Sequence, residues 1–204
     1  QYIALTADDL KGLNMDFEGA KYVCSPPPRD SDSQKAIWEG LRDGTFDIFS
    51  SDHCPFRFED AKGKDVEGAR TSFRWVPNGI PGIETRMPIL FSEGVSKGRI
   101  GLERFVALTA TNPAKLFGLY PRKGTIAVGA DADITLWDPS REVTISQTLM
   151  HHDCDYTPYE GLEVKGWPVR TILRGKTIFA EGEVTGGRDA GLYLERGTSQ
   201  AFGA

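Results

Sequence analysis

Cysteine and histidine are both scarce in this chain, with three of each among 204 residues. Cys24, Cys54 and Cys154 are too few and too widely spaced for a disulfide scaffold, and they fit a reducing cytoplasmic compartment. His53, His151 and His152 leave little from which to build a complete metal centre, which takes three or four ligands. Basic charge is also short: 24 Lys and Arg stand against 29 Asp and Glu, a net charge of −5. That balance excludes the concentrated basic surface by which proteins displace counterions from nucleic acids. No apolar run approaches the roughly 18–20 residues that span a bilayer. The opening QYIALTADDL has neither the basic stretch nor the long apolar stretch of a secretory leader, so no membrane partner is expected. What is present is a mixture of 39% hydrophobic and 26% charged residues, enough to bury a core.

The first third alternates short apolar runs with helical patterns. Lys21 to Ser25 reads as a strand stopped by Pro26-Pro27-Pro28, because proline has no amide hydrogen and drives its predecessor toward extended geometry. Ser31-Asp32-Ser33-Gln34 can cap a helix that runs through Ile37, Trp38 and Leu41 and closes near Gly44. Phe46 to Ser51 reads as a second strand, cut by Asp52-His53-Cys54-Pro55. This is the rhythm of an α/β fold with a parallel sheet, in which chemistry gathers on loops after the strands, where Ser25 and Asp52 stand. Residues 57–82 have no clear period, as in an active-site loop or a disordered one. Residues 83–94 and 102–117 read as helices, the second with Thr111-Asn112-Pro113 as a restart inside it. Beyond Gly124 the texture becomes β-rich: a hairpin around Gly129, then short strands near Thr144, at 169–173 and at 176–179, with Arg174-Gly175 as a tight turn. The expected organisation is an α/β portion over 1–121, a β-rich portion over 122–188 and a Gly-rich tail over 189–204.

Asp52-His53-Cys54 is the densest cluster of groups able to do chemistry. Asp52 reads either as a metal ligand and general base at the mouth of a barrel, or as a loop carboxylate capping backbone amides. His151 and His152 are adjacent, so on a strand they face opposite ways and cannot share an ion; packing in an aromatic loop with Tyr156 and Tyr159 is the simpler role. Cys24 and Cys54 each follow a strand and read as a metal or redox pair, or as plain thiols. Asn78-Gly79-Ile80-Pro81-Gly82 is a turn whose glycines let a planar ligand approach the main chain.

Six blocks in order carry a resemblance: QYIALT (1–6), KYVCSPPPR (21–29), SSDHCPF (50–56), PNGIPGIETRMPILFSEGV (77–95), ATNPAKLFGLYPRKGTIAVGADADITLWDP (110–139) and DYTPYEGLEVKGWPV (155–169). Together they resemble the carboxyl-terminal part of the dihydropyrimidinase and D-hydantoinase group of cyclic amidohydrolases, over nearly the whole chain. The resemblance implies the last β/α units of a metal-dependent, TIM-like barrel over 1–121 and strands of a composite β-sandwich over 122–188. It implies hydrolysis of 5,6-dihydropyrimidines or 5-substituted hydantoins to N-carbamoyl amino acids, in a cytoplasmic homotetramer. By the same likeness Asp52 matches the aspartate that binds one metal and acts as general acid and base. Ser25 and Asn78 match positions whose main-chain groups hold the substrate's ureide edge.

The likeness also implies what these 204 residues do not hold. The family's two divalent ions, zinc by expectation, are bridged by a carboxylated lysine and held by a His-x-His pair and two further histidines, all upstream of the matched segment. His53 follows the aspartate but matches no ligand position. The chain is therefore expected to be a carboxyl-terminal fragment with one metal ligand, inactive by itself, with unpaired strand edges. Two other readings stand beside it. A non-catalytic, collapsin-response-mediator-like interaction protein carries alanine where this chain has Asp52, and a sister allantoinase or dihydroorotase differs after the Asp-His pair, where Cys54-Pro55-Phe56 stand here.

Overall fold

In the computed structural model, which describes residues 1–14 and 16–200, the first long helix, α1 (Ser31–Asp43), is opened by Asp30. The Asp30 carboxylate accepts the Ser33 amide at 2.8 Å, so the cap lies one residue before the Ser31-Asp32 pair that the sequence suggested. Two compact units are formed.

The first unit comprises Gln1–Gly40, Ser50–Leu90 and Val143–Val164. Its core gathers Ala20, Phe58, Ala69, Val76 and Tyr156, with Phe17, Val23 and Val66 packed against them. Phe58 contacts Phe17 at 5.6 Å and meets Tyr156 edge-on at 6.0 Å between ring centroids. Two sequence expectations change here. Lys21 and Tyr22 end a 3₁₀ helix, Phe17–Tyr22, so the run read as a strand is helical for its first half. Of the two readings of residues 57–82, the disordered one falls, since Phe58, Lys64, Ala69, Val76 and Ile80 are all buried. Asp155 anchors the start of that stretch by accepting the amides of Phe58 and Glu59 at 2.6 and 2.9 Å.

The second unit comprises Leu41–Phe49, Phe91–Glu142 and the residues from Lys165 onward. Short α2 (Arg86–Leu90), which ends the first unit's middle segment, continues along the chain into a π turn, Phe91–Ser96. After residues 97–101, α3 (Leu102–Val106), a π turn (Ala107–Thr111) and α4 (Asn112–Leu116) succeed one another without a break. The widened turn ends two residues before Pro113, whose ring crowds the carbonyl four residues back, within that turn, and which has no amide donor. This helix takes over the segment read as a strand at 46–51. Arg104 donates to the carbonyls of Leu41 and Phe46, Asn112 donates to that of Asp47, and Phe49 donates to Leu108. With its polar groups bound to a helix, that stretch joins no strand ladder.

The sheet runs β1 (Ile134–Thr144), β2 (Glu163–Leu173), β3 (Lys176–Ala180) and β4 (Glu183–Val184) in spatial order. β2 and β3 are antiparallel, with Leu173 opposite Lys176. Arg174 and Gly175 between them both have positive φ, the geometry of a tight two-residue hairpin. Residues 125–128 form no strand, so the hairpin expected around Gly129 is replaced by a clip in which Lys123 pairs with both Asp131 and Asp133. The tail folds back, with Gly197 and Gln200 donating to the carbonyls of Gly118 and Lys115 at 2.8 and 2.9 Å.

Candidate active site

Three segments of the first unit meet main chain to main chain. Gly79 donates its amide to the Val23 carbonyl at 3.0 Å, and Cys54 donates to the Ile80 carbonyl at 3.1 Å. His53 and Ile80 form a parallel bridge, while the Cys54 thiol contacts the Asn78 carbonyl at 3.8 Å. Ser25 lies two residues beyond Val23, Asp52 two before Cys54, and Asn78 next to Gly79, so these bonds bring the three candidate residues onto adjoining segments. A fourth segment joins through Tyr2, whose hydroxyl donates to the Pro26 carbonyl at 2.7 Å, and through Gln1.

Gly79 is the position where this arrangement depends on glycine. Its φ is +149°, and a Cβ there would come within 2.6–2.7 Å of the Cys54 carbonyl oxygen, Cβ and Sγ. The turn noticed in the sequence is therefore a close approach of two backbones.

Asp52 is exposed and adopts a left-handed conformation, φ +50°, uncommon for a residue with a Cβ. Its Oδ2 accepts from Gln1 Nε2 at 3.5 Å, too long to satisfy a carboxylate. The alternative of a carboxylate capping backbone amides gains no bond of that kind among the described residues. What remains is a hard oxygen donor held in an unusual backbone state, the type that functional sites tolerate.

The other titratable groups are engaged differently. His53 Nδ1 accepts the amides of Gly82 and Ile83 at 3.1 and 3.3 Å, which puts the proton of the neutral ring on Nε2. His151 pairs with Glu84 at 2.6 Å, and His152 Nδ1 accepts the Cys154 amide at 3.2 Å, so the adjacent histidines do face different partners. Burial lowers the His152 pKa, against the opposing pull of Glu84. Cys24, Cys54 and Cys154 are free thiols; Cys24 is buried, which raises its pKa, and Cys54 is exposed. Tyr156 and Tyr159 are buried and held neutral well above the ordinary phenol range.

Lys64 was not singled out by the sequence. It is fully buried, and Nζ donates to the carbonyls of Val23 and Pro77 at 2.8 and 2.7 Å with the Phe56 ring 5.7 Å away. Burial lowers its pKa to about 8. A lysine in a charged, Gly-containing stretch reads as solvated, and only its tertiary partners reveal otherwise.

Among the described residues no group of three or more His, Cys, Asp or Glu side chains converges on a metal-sized site. The exposed Asp52 carboxylate is a hard oxygen group of the kind that divalent metals take as one ligand among several. Nor is any helix of the described residues long and apolar enough to cross a membrane.

The model of the amidohydrolase family matches residues 15–178. The chain is 49% identical over 196 residues to the D-hydantoinase of Rhizobium radiobacter, covering 96% of this chain and 41% of that protein. It is 46% identical over 196 residues to the D-hydantoinase of Geobacillus stearothermophilus, covering 96% and 40%. Among solved structures, the dihydropyrimidinase from Brevibacillus agri NCHU1002 superposes with a TM-score of 0.91 at 46% identity, covering 98% of this chain and 42% of that one. The chain thus spans about two fifths of the length of the curated relatives it matches.

Proposed function

The chain belongs to the amidohydrolase family, and from that premise we propose that it supplies part of the active site of a cyclic amidohydrolase. The reaction is addition of water to a ring amide of 5-substituted hydantoins or 5,6-dihydropyrimidines, releasing N-carbamoyl amino acids. The observation that carries this reading is the junction of the Ser25, Asp52 and Asn78 segments through the Val23–Gly79 and Cys54–Ile80 bonds.

In this mechanism the exposed Asp52 carboxylate takes a proton from the water that attacks the amide carbon. It then returns that proton to the ring nitrogen as the C–N bond breaks, so the site ends in its starting charge state. The main-chain groups of Ser25 and Asn78 bind the edge of the planar ureide, whose donors and acceptors suit fixed backbone partners that lose little entropy on binding. The family is generally metal-dependent, and bound metal supplies Lewis-acid activation of water and carbonyl. Asp52 would be one ligand; the remaining ligands, including a carboxylated lysine bridging two ions, zinc by preference, would come from elsewhere in the protein. The same reading assigns residues 1–121 to the last units of a β/α barrel and 122–188 to a β-sandwich, in a cytoplasmic tetramer.

The test compares the 204-residue chain with the full-length gene product, each loaded with zinc or manganese, on hydantoin, dihydrouracil, dihydroorotate and allantoin. Opening of hydantoin or dihydrouracil by the full-length protein, with none by the 204-residue chain above the metal-only control, is expected. Selective opening of dihydroorotate or allantoin, or of no ring, overturns the reading.

A further inference from the structure

Lysine is almost never fully buried without a charged partner, because the ammonium loses its water. Lys64 is fully buried, and the partners of its Nζ are two main-chain carbonyls and an aromatic ring. Its own backbone is fixed as well, with the Lys64 amide donating to the Arg57 carbonyl at 2.8 Å.

The identity of the two carbonyls gives the lysine a purpose beyond filling space. The Val23 carbonyl already has a donor, the Gly79 amide, so a second bond from Lys64 is not needed to satisfy it. What the ammonium adds is Pro77, whose carbonyl it draws to the same centre at 2.7 Å. Val23 leads through Cys24 into Ser25, and Pro77 leads directly into Asn78. One cation therefore adds a second tie, beside the Gly79–Val23 bond, between the two stretches of main chain that carry Ser25 and Asn78. An uncharged residue of similar length, such as methionine, would fill the volume without the cost of burying a charge, but would leave the Gly79–Val23 bond as the tie between the two segments, with the Pro77 carbonyl no longer drawn to the same centre.

We infer that Lys64 is a positioning residue for the ureide clamp: by bridging the Val23 and Pro77 carbonyls it holds Ser25 and Asn78 at the separation a cyclic ureide requires. This rests on the function proposed above. It predicts that Lys64 acts on substrate affinity and leaves the proton transfers at Asp52 alone.

The experiment uses the full-length gene product, its Lys64→Met and Lys64→Arg variants, and steady-state kinetics on dihydrouracil and hydantoin, with circular dichroism as the check of folding. In K64M, KM is expected to rise tenfold or more while kcat stays within threefold. In K64R, which keeps a cation with several donors, KM is expected to recover to within threefold of wild type. A folded K64M with unchanged KM, or one that loses only kcat, overturns the inference, because a residue that merely supports the core lowers the active fraction without changing affinity. If K64M does not fold, a folded Lys64→Gln variant whose KM rises tenfold or more with kcat within threefold supports the inference, and one with unaltered KM overturns it. Failure of both to fold marks Lys64 as a core residue and overturns it too. A wild-type protein that opens neither ring removes the proposed function itself, an outcome separate from any comparison among variants.

Discussion

The Val23 carbonyl accepts two hydrogen bonds, from the Gly79 amide at 3.0 Å and from the Lys64 ammonium at 2.8 Å. Through this one oxygen the segment leading to Ser25 is tied both to the neighbour of Asn78 and to a buried cation. The candidate site is thus held by main-chain bonds, and substitutions that move backbone should damage it more than those that trim exposed side chains.

Gly79→Ala is the direct case. The new methyl would lie 2.6–2.7 Å from three atoms of Cys54, at a φ of +149° that side chains rarely adopt. A loss of about 2–4 kcal/mol is expected from the overlap and the backbone strain together. Thermal denaturation of the full-length protein measures it. Adding Cys54→Ala should restore little, since one of the three clashing atoms is the Cys54 carbonyl oxygen.

Asp52→Asn separates charge from conformation. Asparagine tolerates left-handed φ as well as aspartate does, so the +50° backbone of residue 52 survives while the proton acceptor is lost. A fall in kcat of about 10²–10⁴-fold is expected of a residue that moves protons in the reaction. An unchanged melting temperature would assign the loss to chemistry; activity within tenfold of wild type would remove Asp52 from the mechanism.

Much of this was readable in the sequence, and the exceptions share a cause. The short-range signals worked: α1, the long helix with its proline restart, and the Arg174-Gly175 turn are each encoded within a few residues. Asp52, Ser25 and Asn78 are candidates because they stand in recognisable local blocks of sequence. The stretch 46–51 looks like a strand, but its polar groups are claimed by Arg104, Asn112 and Leu108, residues far along the chain. Lys64 looks like a surface lysine until its two carbonyl partners are known. Tertiary hydrogen bonds decide both, and no local period reports them.

Lys64 also makes stability depend on pH in a definite direction. Its pKa falls from 10.5 to about 8 on folding, so between those values the unfolded chain binds more protons than the folded one. Stability from this group therefore rises with pH across that window, as the cost of burying a charge is relieved, and is lowest below about 8. The full swing is on the order of 3 kcal/mol. Urea titrations of wild type and K64M at pH 7 and pH 10 should show the wild type gaining relative to the variant. A constant difference would mean that the ammonium keeps its proton in the fold.

Gly166→Ala gives a contrast in the second unit. Gly166 lies in β2 with φ +96°, and a Cβ there would stand 2.1 Å from Cδ1 of Phe91. That ring cannot yield freely, because it stacks on Trp137 at 4.8 Å and meets Phe105 edge-on at 5.3 Å. The variant must shift the strand or break the aromatic trio, at a cost of about 2–4 kcal/mol. Phe91→Leu in the same background should recover part of the loss, since it removes the clashing ring edge but leaves the strained φ. Gly166 belongs to the second unit and Ser25, Asp52 and Asn78 to the first, so KM measured well below the melting temperature should be unchanged. Equal damage to KM from G166A and G79A would mean that the two units are so coupled that the main-chain clamp has no separate identity.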